Sequence, residues 1–121
     1  MGFLWVSLGG AVGSSARYGV NLVALRYLGA GFPWATLIVN VLGCFAMGYI
    51  TALLREKIPE HDNMRLFLTT GLLGGFTTFS AFSLDFFRLM QRGEMPSAIF
   101  YAVASVVFSI IAVMVGFKAF G

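Results

Sequence analysis

The segment Gly71–Ser83 carries more polar and flexible residues than a helix that only spans lipid requires. Its sequence, GLLGGFTTFSAFS, contains three glycines, two threonines and two serines within an otherwise apolar run. A glycine in a helix interior costs about 1 kcal/mol relative to alanine. An interrupted backbone at membrane depth is tolerated only where protein or a polar cavity covers it. The pattern therefore predicts a broken membrane helix with an ion or substrate site beside the break.

The expected break lies near the middle of the bilayer. Thr77 comes twelve residues after Arg65, whose charge marks one membrane interface, and twelve residues of helix span about 18 Å. The hydrocarbon core is about 30 Å thick. Half-helices present free carbonyl groups to cations and free N–H groups to anions. If two copies met at their breaks, the paired carbonyl groups would form an oxygen cage suited to a hard cation.

Two other apolar segments carry polar side chains on one face. Asn40 lies one turn after Thr36, and its amide either joins helices by hydrogen bonding or contacts a ligand. The hydroxyl groups of Tyr101, Ser105 and Ser109 recur at a spacing of four residues, and Val113 ends the row. A lone serine usually bonds its own i−4 carbonyl group, whereas three hydroxyl groups in register indicate a polar track.

Phe79 and Phe82 follow the expected break and share a face, with Ser80 between them. The edge of an aromatic ring carries a partial positive charge. Two such edges could contact an anion more weakly than a full cation would. Ordinary packing is the alternative, because the chain contains 13 phenylalanines.

No set of residues in this sequence supports an enzyme. It lacks a Walker loop, a nucleophile elbow and a Cys/His cluster. The one cysteine, Cys44, lies in an apolar segment, and the one histidine, His61, lies in a polar loop. Asp85 is the carboxylate nearest to membrane depth, toward one end of the third apolar segment.

The elements that must position these groups are membrane helices. Of the 121 residues, 59% are hydrophobic and 11% are charged. A spanning helix needs about 20 apolar residues, and four segments reach that length, at about 3–27, 34–54, 64–90 and 95–117. The chain is therefore predicted to be an all-α membrane protein, a single four-helix unit over residues 1–121. Its one clearly polar loop is Arg55–Asn63.

The charges at the helix ends give almost no preferred orientation. One side would carry Arg55, Lys57, Arg65 and Lys118, and the other would carry Arg26, Arg88 and Arg92, with Arg17 reaching toward it. Because the positive-inside bias is near zero, the chain could insert in both directions. Opposite copies would then pair about a two-fold axis as an antiparallel homodimer. A weak bias decided by other cues is the alternative.

Small residues indicate close helix packing within each copy. Gly9 and Gly13 form a GxxxG pair in the first segment, and Gly71 and Gly75 form another in the third. Such pairs allow two helix backbones to approach each other.

Three motifs in this order resemble the Fluc (CrcB) family of bacterial fluoride channels. They are GG-x-x-G-x-x-x-R-Y at Gly9–Tyr18, T-x-x-x-N-x-x-G at Thr36–Gly43, and G-x-x-G-G-F-T-T-F-S-x-F-S at Gly71–Ser83. The resemblance covers all four helices. It implies a dual-topology, antiparallel homodimer with two pores in the bacterial inner membrane. It also implies passive, selective fluoride conduction that lowers the cytoplasmic fluoride level.

The resemblance also implies specific site residues. A structural sodium ion would lie at the dimer centre, bound by the backbone carbonyl groups of Gly74 and Thr77. Arg17 matches an arginine near the aqueous vestibule. The fluoride pore would be lined by Asn40, Phe79, Phe82, Ser80, Tyr101, Ser105 and Ser109, together with Thr36 from the same stripe as Asn40.

Two other functions are compatible with four apolar helices. A small multidrug exporter shares the dual topology, but such proton-coupled transporters typically have a carboxylate in the first helix, and this chain has none there. A structural membrane subunit beside a larger partner is the third possibility.

Overall fold

The computed structural model describes residues 2–29, 31–54 and 63–120, and all regular secondary structure in these ranges is helical. The predicted loop Arg55–Asn63 lies outside the described residues except for Asn63 itself. The charges of Arg55 and Lys57, which entered the orientation argument, therefore lie outside them too.

The helices begin and end close to where hydropathy, glycine and proline predict. They are α1 (Gly2–Leu28), α2 (Trp34–Leu54), α3 (Asn63–Arg65), a π-helix (Leu66–Leu73), α4 (Gly74–Phe76), α5 (Ser80–Gln91) and α6 (Met95–Phe120). After α5, Gly93 takes φ +77°, and the Glu94 N–H donates to the Leu89 carbonyl oxygen at 3.0 Å. This is the glycine-terminated helix end called a Schellman motif.

The third apolar segment is broken, as its glycines and threonines predict. Helical backbone stops at Phe76, and Thr77 is extended, with φ −87° and ψ 159°. A new helix begins at Ser80. The eight-residue π-helix before the break was not predicted. Such helices are rare in proteins, and those that occur often lie at functional sites.

The predicted glycine pairs pack against each other. Gly9 and Gly13 of α1 lie against backbone atoms of Phe67 and Leu72 in the π-helix. A Cβ atom at Gly75 would lie only 2.8 Å from the Gly10 carbonyl oxygen. The prediction that these glycines bring two helix backbones together is therefore confirmed. The first segment thereby holds the broken one in place.

A small buried core joins α5 to α6 and to the start of α2. It contains Leu89, Ala98 and Tyr101, packed against Phe32, Leu37, Phe82 and Phe86. Tyr101 is 0% exposed. The core thus fixes the position of the second half of the broken segment.

Three spans in the described chain are long and apolar enough to cross a membrane: Trp34–Leu54, Asn63–Gln91 and Met95–Ala119. The second of these contains the break. At 27 residues α1 also has sufficient length. It is less apolar, because it contains polar residues such as Ser14, Arg17 and Asn21.

Candidate functional site

Asn40 of α2 bridges the break with two hydrogen bonds to Thr78. Its Nδ2 donates to the Thr78 carbonyl oxygen at 3.0 Å, and its Oδ1 accepts from the Thr78 N–H at 2.9 Å. In a continuous helix, the Thr78 N–H would bond the Gly74 carbonyl oxygen. The amide therefore replaces helical partners, and the Gly74 carbonyl group loses its usual donor. The helix-joining role considered for Asn40 is present in the structure.

Arg17 approaches the break from α1. Its Nε donates to the Gly75 carbonyl oxygen at 3.2 Å, where a continuous helix would place the Phe79 N–H. A cation at the carboxyl end of a helix also offsets the negative end of the helix dipole. Arg17 and Asn40 thus satisfy the broken backbone from two neighbouring helices.

The hydrogen-bond donors of Thr77 point back toward the first half of the broken segment. Both its N–H and its Oγ1 donate to the Leu73 carbonyl oxygen, each at 2.9 Å. Its extended backbone takes its own carbonyl group out of the helical alignment. Among the described residues, no group of Asp, Glu, His or Cys side chains is placed to bind a metal. A cation beside the break would therefore depend on backbone oxygens such as those of Gly74 and Thr77.

An open groove of about 540 Å³ lies beside the break. It brings together seven of the predicted site residues, from four parts of the chain. Its lining consists of Asn40, Cys44, Gly74, Thr77, Thr78, Phe79, Phe82, Ser105, Val106, Ser109 and Ile110. None of the described residues that line the groove has a charged side chain, so they offer only weak polar contacts to an ion.

The two phenylalanines of the groove form a pair. The ring centroids of Phe79 and Phe82 lie 5.5 Å apart with a 39° angle between the ring planes. Phe79 is 76% exposed, whereas Phe82 is half-buried and its centroid lies 5.2 Å from that of Tyr101. One ring therefore stands at the open side of the groove and the other at its inner end.

Ser105 presents an unusual hydroxyl group to the groove. Its side chain is buried, with 6% exposure, and its Oγ has no hydrogen-bond partner among the residues that the structure describes. Buried polar groups nearly always have partners, and a membrane serine usually bonds its i−4 carbonyl group. This hydroxyl group therefore has hydrogen-bonding capacity that no described residue uses.

Thr36 and Tyr101 lie beyond the inner end of the groove, around Asp85. The Thr36 hydroxyl donates to Asp85 Oδ2 at 2.7 Å, and the Tyr101 hydroxyl donates to the same oxygen at 3.2 Å. In the sequence, Asp85 stands out only as the carboxylate nearest to membrane depth, and this cluster was not predicted. A signal existed, because Asp85 follows Phe82 by three residues and therefore shares its helix face.

Besides Thr36 and Tyr101, two further predicted residues do not line the groove. Ser80 is exposed, and its Oγ lies 3.2 Å from the Thr78 Oγ1. The Arg17 side chain instead donates a hydrogen bond to the backbone at the break. Their assignments to the ion path remain predictions.

Comparison with known proteins assigns the chain to a family. A family model described as CrcB-like protein, Camphor Resistance (CrcB), matches residues 4–117. A protein of Paracoccus denitrificans (strain Pd 1222), named fluoride-specific ion channel FluC, is 55% identical over 114 residues, which cover 94% of this chain and 90% of the relative. Proteins of the same name are similar too. That of Rhizobium leguminosarum bv. trifolii is 51% identical over 113 residues (93% and 90% covered), and that of Hyphomonas neptunium is 49% identical over 116 residues (95% and 91% covered). With its long apolar helices, the chain is a multi-pass membrane protein, and it belongs to the CrcB family.

Proposed function

We propose that this protein is a fluoride-selective ion channel of the bacterial inner membrane, not an enzyme. The observation that carries the proposal is the groove beside the break. Its described lining combines the Ser105 hydroxyl group, which bonds no described residue, with the Phe79–Phe82 pair, and none of these lining residues is charged. The name of the relatives, fluoride-specific ion channel, supports fluoride as the ion that passes through the groove.

The groove suits an ion that must exchange its water for weak replacement donors. The Ser105 hydroxyl group can donate one hydrogen bond. The Asn40 amide carries two N–H groups, of which one donates to Thr78. The edges of Phe79 and Phe82 add partial positive charge. Several weak contacts in succession let an ion leave as well as enter, so they support passive conduction that lowers cytoplasmic fluoride.

The channel would be an antiparallel homodimer with two pores, in which each copy, a single unit over residues 1–121, crosses the membrane four times. The near-zero charge bias supports insertion in both directions. The groove is open along one side, and Phe79 stands exposed at that side. A second copy would close it. In this arrangement α1 is the fourth membrane helix.

A structural sodium ion would lie between the two copies. The Gly74 carbonyl group, which has lost its helical donor to Asn40, and the extended Thr77 fit a cation that takes backbone oxygens as ligands. When bound, the ion would supply positive charge that holds the two breaks together. Hard monovalent and divalent cations prefer such oxygen ligands.

The proposal is tested by fluoride release from liposomes that contain the purified protein, measured with a fluoride electrode. Rapid release of fluoride without release of chloride, independent of any proton gradient, is the expected result. Release that requires a proton gradient would instead identify a proton-coupled exporter. A protein that conducts neither ion alone would fit the structural subunit.

A further inference from the structure

A second cavity, of about 340 Å³, lies where α1 ends, α2 begins and α5 ends. Its polar lining differs from that of the groove, because it contains ionised side chains. These are Asp85, Arg88 and Arg92, accompanied by Asn21 and Thr36. The groove and its weak donors do not explain why two arginines face this space.

The two arginines are not equivalent. Arg92 is held in place, because its Nη2 donates to the Gly31 carbonyl oxygen at 2.8 Å and lies 3.4 Å from Glu94 Oε1. The Arg88 guanidinium has no hydrogen bond or ion pair with any residue that the structure describes. Arg88 therefore supplies a positive charge to the cavity that no hydrogen bond or ion pair with a described residue holds in place.

The cavity and the groove are linked through Tyr101. Phe82 lines the groove and packs against Tyr101 with ring centroids 5.2 Å apart. On its other side, the Tyr101 hydroxyl donates to Asp85, which lines the cavity. One fully buried tyrosine thus contacts a lining residue of each space. An ion that left the groove past Tyr101 would arrive in the cavity.

We propose that this cavity is the second mouth of the ion path and that Arg88 concentrates small monovalent anions, fluoride above all, at that mouth. The proposal rests on the proposed function. The Asp85 carboxylate at the inner end repels anions, and Arg88 follows it by three residues on the same helix face, so the arginine offsets that repulsion. A charge at the wall of a cleft raises the local concentration of counter-ions.

The first test compares fluoride release from liposomes for wild type, Arg88→Gln and Arg26→Gln at two ionic strengths. Arg26→Gln is the matched control. It removes the same charge from the last turn of α1, where Arg26 lies 5.8 Å above the Tyr27 ring and outside the cavity lining. The Debye length falls from about 30 Å at about 10 mM salt to about 3 Å at about 1 M, so an electrostatic effect must weaken at high salt.

At low salt we expect Arg88→Gln to slow release about 3- to 10-fold, and we expect this deficit to shrink at high salt. Arg26→Gln should match wild type at both. Equal rates for Arg88→Gln and wild type would overturn the inference, as would equal losses in both variants or a loss that salt leaves unchanged. If the wild-type protein itself releases no fluoride, the proposed function is overturned. That outcome is distinct from a failure of the inference about Arg88.

A charge-rescue experiment separates electrostatics from folding. In a Cys44→Ser background, which removes the thiol of the groove, Arg88→Cys is treated with a thiol reagent that carries either a trimethylammonium or a sulfonate group. The cationic reagent should restore release at low salt, and the anionic reagent should reduce it further. Equal effects of the two reagents would contradict a role for the charge.

Discussion

Asn40 and Thr78 form a two-bond pair in which a side-chain amide on α2 takes the place of the helical partners of a residue at the break. The donor and the acceptor of the amide are both used, at 3.0 and 2.9 Å. The same side chain lines the groove. One residue therefore both supports the break and forms part of the groove wall.

Asn40→Ala is expected to destabilise the protein as well as reduce its activity. The substitution leaves the Thr78 N–H and carbonyl groups without these partners, which costs about 1–3 kcal/mol for each buried group left unsatisfied. Ser109→Ala changes another groove residue without removing a described backbone bond and should change stability little. Thermal unfolding of both variants in detergent measures the difference. Equal midpoints would show that the amide does not support the break.

Gly43→Ala should disturb the break through a second contact of α2. A Cβ atom at Gly43 would collide with the Thr77 side-chain methyl group and lie 3.3 Å from the Phe76 ring. Inserting a methylene into a tight contact typically costs about 1–3 kcal/mol, so we expect lower thermal stability and slower fluoride release. Gly19→Ala is the control, because nothing lies within 4 Å of a Cβ atom there. A Gly43→Ala protein that behaves like Gly19→Ala would contradict the packing at this contact.

Phe79→Ile and Phe82→Ile should each slow fluoride release while the protein stays folded. Isoleucine keeps an apolar side chain but removes the ring edge, and a loss of about 1.4 kcal/mol at the barrier corresponds to about tenfold in rate. Phe87→Ile, on an exposed position of α5 outside the groove, should leave release unchanged. Undiminished rates in both groove variants would exclude the aromatic contacts from the ion path.

Sodium is expected to purify with the protein and to resist dialysis, because a cation enclosed between two copies has no open route to solvent. Metal analysis of the dialysed protein, prepared in sodium-free buffer, measures how much ion is retained. If protein without sodium still forms the dimer and conducts fluoride, the proposed sodium site between the two copies is wrong.

Much of the fold follows from local sequence. Runs of apolar residues fix the long helices, Gly29 and Gly93 mark two of their ends, and the glycines and threonines of the third segment specify its break. The π-helix at Leu66–Leu73 cannot be predicted from the local sequence. Its residues are ordinary for a helix, and its close backbone contact with α1 joins residues far apart in sequence.

The residue types of the site could be predicted from the sequence better than the contacts that those residues make. The groove unites Asn40, Phe79, Phe82, Ser105 and Ser109 as their spacing suggested. The Asp85 cluster joins side chains 49 and 16 residues apart in sequence, which no periodicity within one helix reveals. Arg17 likewise reaches a carbonyl group 58 residues away, and only the packing of α1 against the break brings the two together.

The most direct test of fluoride selectivity is the current through the wild-type protein in a planar bilayer with fluoride salt on one side and chloride salt on the other. Fluoride selectivity predicts current only at voltages that drive fluoride across, with no current carried by chloride in the opposite direction. Current of similar size in both directions, or none that fluoride carries, would contradict it.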